Sequence, residues 1–600
     1  MRAHRRKCRS RPASSSTERA RTRWPGGPAT SSTRRAGAIT RCSTKGSPAG
    51  GRRATPSKAE IRRPRPGIEH GTPQPRDPEP LDMMSIDDLA RAATEAFEWA
   101  RHQPDVREVE IFVAANAALL TRLNYTSHIP CDGVEEPKSA TAHGIGIQAV
   151  FAGPDGDLVG FGSEPSDLAA RGVERALTKA RRAAVRDPEF VSLPKPGPER
   201  RTLGTHHDPA LMTLDDRALV EAGWKVVNGA VRTFLHAGRL AELAGGEAGL
   251  RDLGLIVGGD VSVVQERAAI VSTHLPRVQT DEATVITSSI TAMVEKFDAK
   301  GSGWSTGTRL DHFTDEAGVE AARSAIAAID GVRVPSGTYT VVLGRQPVAD
   351  LLNNIIVPAC TASSFYASNT PFLGRLGTRV AGPGLHLYDD GAAAERIASK
   401  GITCEGLPTG RTDLIRAGVL TGCLSSWYET QRLLRDPARA EKLGTAPDEA
   451  ARRALVPRNG FRFAFGGGRQ FDTSPSISAS NVVLEGEDGV TRDELIRRVG
   501  NGLYIGRIWY TYPVNGLRAG DFTCTVVGDS YIICGGRIAA PLRANVIRVN
   551  DNIATILNNV VGVTKDVRGT VVWAEVAYTP EVAISGVRID AIAGFMEDLA

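Results

Sequence analysis

The sequence predicts an α+β protein, with an α/β N-terminal domain followed by a large, β-rich and mainly antiparallel C-terminal domain. Residues 83–330 alternate between helical and strand-like patterns, whereas residues 331–600 consist mostly of short strand-like segments separated by Gly, Asn and Asp turns. Six hundred residues are too many for one ordinary domain. We therefore expect at least two domains, with a boundary near residue 330.

The first predicted helix has a clear N-terminal signal. Ser85 can cap it and Asp88 completes a near capping box, so the helix is predicted from Ser85 to Arg101. The alternation in "VREVEIFVA" predicts a strand, and "IGIQAVFAGPDGDLVGFGSE" predicts two strands around a Pro-Asp-Gly turn. The N-terminal domain is thus expected to begin with a helix followed by strands.

The rest of this domain repeats the mixture. Residues 166–184 place their apolar residues on one face, and they are predicted to be helical together with residues 211–234 and 316–329. Strand-like stretches lie at 253–273 and 283–297. The N-terminal domain is therefore expected to carry helices and strands in mixed order.

Strand-like segments dominate from residue 338 onward. The stretch "VRVPSG" before them is interpreted as a linker turn, and one short helix is predicted within "NVIRVNDNIATILNNVVGV". From Leu503 to about Ile589 the sequence is almost entirely short strands with Gly, Asn and Asp turns. This pattern predicts the antiparallel character of the C-terminal domain.

The composition is that of a globular protein, with 41% apolar and 24% charged residues. No run of about 18 apolar residues occurs, so no membrane span is predicted. The eight cysteines include no CxxC pair, and no secretory apolar segment is present. These features predict free thiols in a reducing compartment, the cytoplasm.

Charge is distributed unevenly along the chain. Residues 1–82 contain 20 Lys and Arg against 6 Asp and Glu, a local net of +14, so a chain of net charge +5 has a body of −9. This tail is rich in Arg, Ser, Pro and Gly without apolar periodicity, so disorder is expected. Three interpretations stay open: a start placed too early, because Met83 and Met84 directly precede the capped helix; a solvated tail; and a targeting peptide or nucleic-acid arm.

Local motifs supply no constellation of catalytic residues. Neither HExxH nor HExxxH occurs, and none of the 11 His lies beyond His386. The densest cluster, "THHDP", contains His206, His207 and Asp208. Adjacent side chains on an extended chain point to opposite faces, so a solvated loop is favoured over a metal site.

Three other stretches have both a catalytic and a structural interpretation. "GWSTG", within residues 301–307, has the letters of a nucleophile elbow but is interpreted as a flexible connection. The glycine-rich residues 465–471 lack the Lys and Ser/Thr of a phosphate loop and are interpreted as a loop or hairpin edge. Asp389 and Asp390 could form a carboxylate pair, although an Asp-Gly turn is favoured.

Four separated stretches resemble the TldD/TldE (PmbA) family. They are "GIGIQAVFAGPDGDLVGFGSEPSDLAARGVERALTKARRA", "VPSGTYTVVLGRQPVADLL", "CEGLPTGRTDLIRAGVLTGCLSSWYETQRL" and "DELIRRVGNGLYIGRIWYTYPVNGLRAGDFTCTVVGDSYIICGGRIAAPLR". The resemblance covers roughly residues 84–600, and the last two stretches are its specific part.

The resemblance implies a fold, an assembly and an activity. It implies an α/β N-terminal and a β-rich C-terminal domain, in a two-chain complex that pairs a TldD-type with a TldE-type subunit. TldD-type chains of this family bind zinc through HExxxH and a later Cys, and unfolded peptides are cleaved inside the closed assembly. TldE-type chains lack the motif.

At the position of the HExxxH motif this sequence has Asn353, Asn354 and Pro358. An amide cannot act as a general base and is a poor zinc ligand beside imidazole. Pro358 also disfavours a continuous helix. Because residues 535–600 contain neither Cys nor His, every part of the zinc site is replaced. We expect no catalytic residue, metal or cofactor in this chain, and zinc in a TldD-type partner.

The resemblance therefore favours a non-catalytic TldE/PmbA-like subunit whose partners are a TldD-type catalytic subunit and unfolded or extended peptides. A membrane partner is not expected. Two other functions stay open. One is an independent hydrolase or peptidase with an unrecognised site that uses Cys360, Asp389 and Asp390, although Cys360 is better interpreted as a small buried residue. The other is a nucleic-acid-associated modulator, which the acidic body disfavours.

Overall fold

The computed structural model describes residues 84–204, 206–394, 396–444, 448–463, 468–572 and 575–592. The predicted disorder of residues 1–82 lies outside these described residues. The α+β class is confirmed, because helices pack on largely antiparallel sheets in both halves of the described chain. The domain boundary near residue 330 stays a prediction.

The N-terminal half of the described chain is built on one seven-stranded sheet. Its strands are β1 (Val106–Thr126), β2 (Gly133–Val134), β3 (Lys138–Gly153), β4 (Gly156–Pro165), β5 (Leu255–Ser272), β6 (Leu275–Val294) and β7 (Ala299–Gly307). The spatial order is β4-β3-β1-β5-β6-β7, with β2 paired to β1. All the pairings described in this sheet are antiparallel.

The helices of this half are α1 (Ile86–Arg101), α2 (Ala170–Ala183), α3 (Pro209–Met212), α4 (Asp216–Leu235), α5 (Gly238–Ala244) and α6 (Glu316–Ala327). The predicted capping box begins α1, since Ser85 Oγ accepts a hydrogen bond from the Asp88 N–H at 3.1 Å and donates to the Asp88 carboxylate at 2.6 Å. Helix α2 begins later than predicted, because Ser166 has a positive φ of 63°.

The sheet buries both of its faces. Odd-numbered residues of β1, such as Ile111 and Leu119, pack against the helices. Even-numbered Phe112 packs instead with Phe461 and Phe471 from the C-terminal half. The period of two along a strand therefore assigns one face to the helices and the other to the rest of the molecule.

Residues 301–307 form most of the edge strand β7, so the prediction of a flexible connection is wrong. A Cβ at Gly301 would lie 2.2 Å from the Ala325 nitrogen, and one at Gly303 would lie 2.0 Å from the Ala317 carbonyl oxygen. These glycines let α6 lie directly on the strand. Gly and Ser have weak strand propensity, which is why the sequence pattern did not mark β7.

The C-terminal half contains fifteen strands among the described residues. They are β8 (Gly337–Leu343), β9 (Leu385–Asp390), β10 (Arg411–Arg416), β11 (Val419–Leu420), β12 (Gly460–Phe461), β13 (Ser476–Ile477), β14 (Val482–Gly486), β15 (Gly502–Pro513), β16 (Asp521–Cys534), β17 (Arg537–Pro541), β18 (Ile547–Asn552), β19 (Val560–Val563), β20 (Arg568–Val572), β21 (Glu575–Thr579) and β22 (Val582–Ala591).

Five of these described strands close into a barrel. β15 pairs with β8, β8 with β22, β22 with β18, β18 with β16, and β16 returns to β15. Most pairings are antiparallel, as predicted, but β15 and β8 run parallel. A separate sheet of six described strands has the order β11-β10-β9-β14-β21-β20.

Eight helices are described in the C-terminal half. They are α7 (Arg345–Leu351), α8 (Val357–Ala359), α9 (Ala362–Tyr366), α10 (Trp427–Arg435), α11 (Arg439–Leu443), α12 (Asp448–Ala454), α13 (Arg492–Val499) and α14 (Ile553–Asn558). Leu352, Ile355 and Ile356, between α7 and α8, lie in one extensive apolar core with residues of both sheets. The helix that follows β8 is therefore at the centre of the C-terminal half.

Candidate functional site

The helix after β8 carries the three positions that the sequence identifies with HExxxH. Helix α7 continues into a single π turn, Leu352–Ile356, and then into α8, with the Val357 N–H donating to the Leu352 carbonyl. In a regular α-helix the Pro358 ring would clash with the carbonyl of Asn354. A widened turn relieves that clash. Pro358 thus interrupts the α-helical pattern, as predicted, but the chain stays helical.

Asn353 and Asn354 have different surroundings on this helix. Asn354 Nδ2 donates to the Asp350 carbonyl at 3.0 Å and to Asp350 Oδ1 at 3.1 Å, so its amide is tied back to its own helix. Asn353 is buried, and its Nδ2 has no hydrogen-bond partner among the described residues. The only ligating atom of each amide is its neutral oxygen, which is a poor zinc ligand beside imidazole.

Asp350 is a buried carboxylate that sequence reasoning did not single out. Thr511, in a bulge of β15, donates to one of its oxygens, and Asn354 donates to the other. The carboxylate is thus used to hold the motif helix against the barrel. Asp350 lies one helical turn before Asn354, and residues 353–358 contain no His.

The motif positions do not fit the zinc ion that the family resemblance implies. The Pro358 side chain has no ligating atom, and the Asn354 Nδ2 group is held by Asp350. Within the described ranges, no group of three or more His, Cys, Asp and Glu residues is placed to hold a metal ion.

Cys360 lies directly after the motif but is a poor nucleophile. It is buried in the apolar core, and burial raises the pKa of its thiol to about 12. Thiol reactivity depends on the thiolate, which this environment disfavours. The interpretation of Cys360 as a small buried residue fits this site better than a catalytic role.

Asp389 and Asp390 lie at the end of β9 and serve separate purposes. Asp389 is buried and accepts hydrogen bonds from the Ser480 N–H (2.8 Å), Ser480 Oγ (2.9 Å) and Asn459 Nδ2 (2.7 Å). Burial raises its pKa to about 6. Asp390 accepts instead from the Ala392 N–H at 3.1 Å, which is the predicted turn. The contacts of the two side chains do not form a carboxylate pair.

The described residues of the "THHDP" stretch, His206 to Asp208, are packed, so the prediction of a solvated loop is wrong for them. His206 makes a bridge to Ala283 of β6, its Nε2 lies 2.9 Å from the Arg396 carbonyl oxygen, and burial lowers its pKa. His207 faces Glu282 at 3.8 Å. Asp208 caps α3. Because the three side chains have different partners, they do not form a ligand set.

A cavity of about 1070 Å³ lies between β7 and α6 on one side and β15 and β16 on the other. Arg345, at the start of α7, lines it together with Tyr504, Asp529 and Glu581. Sequence reasoning missed this site. Its residues come from widely separated segments, and none of them belongs to a recognised local motif.

The C-terminal half matches a known family. The model of the PmbA/TldA metallopeptidase C-terminal domain matches residues 336–591. A metalloprotease from Methanothermobacter thermautotrophicus is 26% identical over 254 residues, which is 42% of this chain and 49% of the relative. A TldD homologue described as a metalloprotease from Haemophilus influenzae is 26% identical over 229 residues, 37% of this chain and 40% of that protein. The chain spans about half or less of the length of these relatives.

Solved structures share the fold over most of the described chain. TldE from Thermococcus kodakarensis has a TM-score of 0.63 at 17% identity, covering 84% of this chain and 99% of that one. A protein from Bacteroides thetaiotaomicron described as a modulator of DNA gyrase has a TM-score of 0.62 at 17% identity, covering 84% and 99%. At this identity the likeness shows the fold alone.

The mixed sheets and the match around the motif helix define a metallopeptidase-related protein of α+β fold. Residues 336–591 belong to the PmbA/TldA metallopeptidase C-terminal domain family. None of the described helices is long and apolar enough to cross a membrane.

Proposed function

We propose that this chain is the non-catalytic, TldE/PmbA-like subunit of a cytoplasmic TldD/TldE-type metallopeptidase complex that degrades or trims unfolded peptides. The observation that carries the proposal is the motif helix, in which Asn353, Asn354 and Pro358 replace both histidines and the glutamate. The zinc and the general base are supplied by a TldD-type partner.

The chemistry of the motif helix supports a non-catalytic role. Zinc hydrolysis needs three protein ligands and a base that takes a proton from the bound water. Asn354 stands at the position of the base but has no proton-accepting group, and its amide is held by Asp350. The helix keeps its buried, well-packed place in the core without the catalytic side chains.

An exposed apolar surface supports pairing with another chain. Tyr510, Tyr512 and Val514, at the end of β15, are 69%, 53% and 36% exposed. Large exposed aromatic side chains grouped in one short segment are typical of interaction surfaces. We assign this β15 end to the contact with the TldD-type subunit.

An edge strand supports a role in holding peptide. β20 is at the end of the six-stranded sheet, and its residues Arg568, Gly569 and Thr570 line the cavity. An extended peptide can add to a sheet edge through main-chain hydrogen bonds that do not depend on its sequence. This is the mode of binding that suits unfolded substrates.

Neither alternative has an observation of equal weight. An independent hydrolase would need Cys360, Asp389 and Asp390 to act together, but the thiol is held neutral by burial and the two carboxylates have separate partners. A nucleic-acid-associated role conflicts with the net charge of −9 outside residues 1–82.

Co-expression with a TldD-type chain from the same cell tests the proposal. We expect the lone chain to contain no stoichiometric zinc and to leave an unfolded peptide intact, and the purified pair to contain about one zinc and to cleave it. The Tyr510→Ser, Tyr512→Ser variant should lose most of the pairing, whereas Trp99→Ser, a matched exposed aromatic on α1, should keep it. About one zinc per lone chain after dialysis, or chelator-sensitive cleavage by the lone chain, would overturn the proposal.

A further inference from the structure

Two carboxylates that line the 1070 Å³ cavity each have one oxygen in use and one without a partner. Asp529 Oδ2 accepts from the Ser302 N–H at 3.1 Å, and Glu581 Oε1 accepts from the Tyr504 hydroxyl at 2.9 Å. Asp529 Oδ1 and Glu581 Oε2 are buried and have no hydrogen-bond partner within the part of the chain that the structure describes. Both residues are only 8% exposed. Buried oxygens of this kind require a donor.

The backbone is distorted where Asp529 enters the cavity. Its φ is 48°, in the left-handed region that residues other than glycine rarely adopt. The β15–β16 ladder has a bulge beside it, between Arg507 and Ile508. A Cβ at Gly506 would lie 2.1 Å from the Asp529 carbonyl oxygen, so this approach requires glycine. β-Bulges are over-represented next to functional sites, where they change the direction of a side chain.

The surrounding groups define what the cavity can take. The rings of Tyr504 and Tyr531 lie 6.0 Å apart. The Arg492 guanidinium lies over the Tyr504 ring, 4.6 Å from its centroid, and its Nε lies 3.5 Å from Glu581 Oε1, the oxygen already in use. Arg323 and Lys565, which also line the cavity, are exposed. The cavity thus has two carboxylate oxygens without a hydrogen-bond donor at its buried residues, Asp529 and Glu581, and positively charged side chains at its exposed residues, Arg323 and Lys565.

The unpartnered oxygens call for an N–H donor rather than a metal ion. No set of three metal-ligating side chains occurs among residues the structure describes, these two included. An ammonium group carries three donors and a full positive charge. A volume of about 1070 Å³ is at the upper end for small-ligand pockets and accommodates a short peptide.

We propose that this cavity binds a primary ammonium group, which donates to Asp529 Oδ1, while a further N–H of the same ligand donates to Glu581 Oε2. A peptide amino terminus and a lysine side chain both carry this chemistry. The proposal rests on the proposed function only in taking a peptide as the ligand. Ammonium binding is a property of this chain alone. The cavity can therefore fail to bind an ammonium group while pairing with a TldD-type subunit is confirmed, and pairing can fail while ammonium binding is confirmed.

Calorimetric titration of the full chain at pH 8 tests the proposal. Burial raises the pKa of Asp529 to about 7, so this pH keeps the carboxylate ionised. The probes are trialanine amide, its N-acetyl form, and Nα-acetyl-lysine methylamide. We expect trialanine amide to bind and acetylation to weaken binding at least about tenfold, which corresponds to about 1.4 kcal/mol. Binding of the lysine compound instead would support the same site and identify the side chain as the source.

Variants separate the site from general effects. Asp529→Asn is nearly isosteric and keeps an oxygen for the Ser302 N–H, and it should weaken ammonium binding at least about tenfold. Glu581→Gln should weaken it less, and Asp155→Asn, an exposed carboxylate in the β3–β4 turn, should leave it unchanged. Equal binding of free and acetylated peptide, unchanged binding by Asp529→Asn in a chain of unchanged melting temperature, or no binding of either ammonium probe would overturn the proposal.

Discussion

Glu405 shows how one buried carboxyl group can set the pH response of the molecule. Both of its oxygens lie 3.0 Å from the Trp427 N–H, and burial raises its pKa to about 8. Glu110 raises the pKa further, and Arg462 opposes the rise. At neutral pH the group is therefore mostly protonated in the folded chain and ionised in the unfolded chain.

This difference predicts a loss of stability with rising pH. The stabilising contribution is complete below the ordinary pKa of about 4.5 and is lost as the pH rises through about 8. Glu405→Gln keeps a neutral side chain and removes the titration, so its stability should fall less between pH 5 and pH 9, by on the order of 1 kcal/mol or more. Urea midpoints at pH 5, 7 and 9 measure this, with the exposed Glu221→Gln as control. Parallel curves for wild type and Glu405→Gln would contradict the prediction.

The letters of HExxxH can be introduced at positions 353, 354 and 358 by three substitutions. We expect the variant Asn353→His, Asn354→Glu, Pro358→His to show no peptidase activity as a lone chain. The substitutions supply two imidazoles and a base, but zinc sites use a third protein ligand, and residues 535–600 contain neither Cys nor His. Peptide cleavage in zinc-containing buffer, with and without a chelator, measures this. Chelator-sensitive turnover would mean that the rest of the site is retained.

At the scale of elements, β7 and α6 illustrate close packing through glycine. Gly303→Ala would place a methyl group 2.0 Å from the Ala317 carbonyl oxygen, so the helix or the strand must move. We expect a loss of roughly 1–3 kcal/mol. Gly307→Ala, on the same strand but with its nearest atom 3.5 Å away, should change stability little. Urea unfolding of both variants gives the comparison, and equal stability would show that α6 shifts freely.

The π turn also belongs to this scale. Pro358 in the sequence predicts that the α-helix is interrupted. The form of the interruption, a π turn, depends on the surrounding core, which holds Leu352, Ile355 and Ile356 in place. A local pattern identifies the residue that perturbs a helix. Whether the helix breaks or widens is decided by packing that involves residues far away in the chain.

At the scale of the molecule, a buried ionic network joins the two halves of the chain. Arg469 Nη1 lies 2.7 Å from Asp281, and its Nε lies 3.2 Å from Glu266, on the two adjacent strands β6 and β5. Lys400 also reaches Glu266 at 3.2 Å. All these groups are buried, so each depends on its partners for the charge it carries.

Removing one member of the network should be costly. Arg469→Met leaves two carboxylates under-compensated in the interior, and we expect a loss of about 3–5 kcal/mol. Arg217→Ala, which breaks an exposed ion pair with Glu221 on α4, should cost within about 0.5 kcal/mol. Chemical denaturation of both variants tests this. A small effect of Arg469→Met would mean that the cations that remain, Lys400 beside Glu266 and Arg201 beside Asp281, compensate the two carboxylates.

The sequence predicted those structural features that depend on residues close together in the chain. The cap at Ser85 and the α+β class could be found there, whereas the assignment of Asn353, Asn354 and Pro358 to the HExxxH positions comes from the family resemblance and stays a prediction. The cavity could not be predicted, because Ser302, Asp529 and Glu581 are brought together only by the meeting of β7 with the barrel. The same holds for Arg469, whose importance lies in its distant partners.

The closed barrel has a consequence for the order in which the chain is made. β8 (Gly337–Leu343) leads directly into the motif helix, yet it pairs with β15, which begins at Gly502, and with β22, which ends at Ala591. At a synthesis rate of roughly 5–20 residues per second, the chain from β8 to β22 takes on the order of ten to fifty seconds to appear. During that interval the apolar helix has no complete barrel to cover it. The motif helix, which is synthesised early in the C-terminal half, is therefore enclosed only after β22 has left the ribosome.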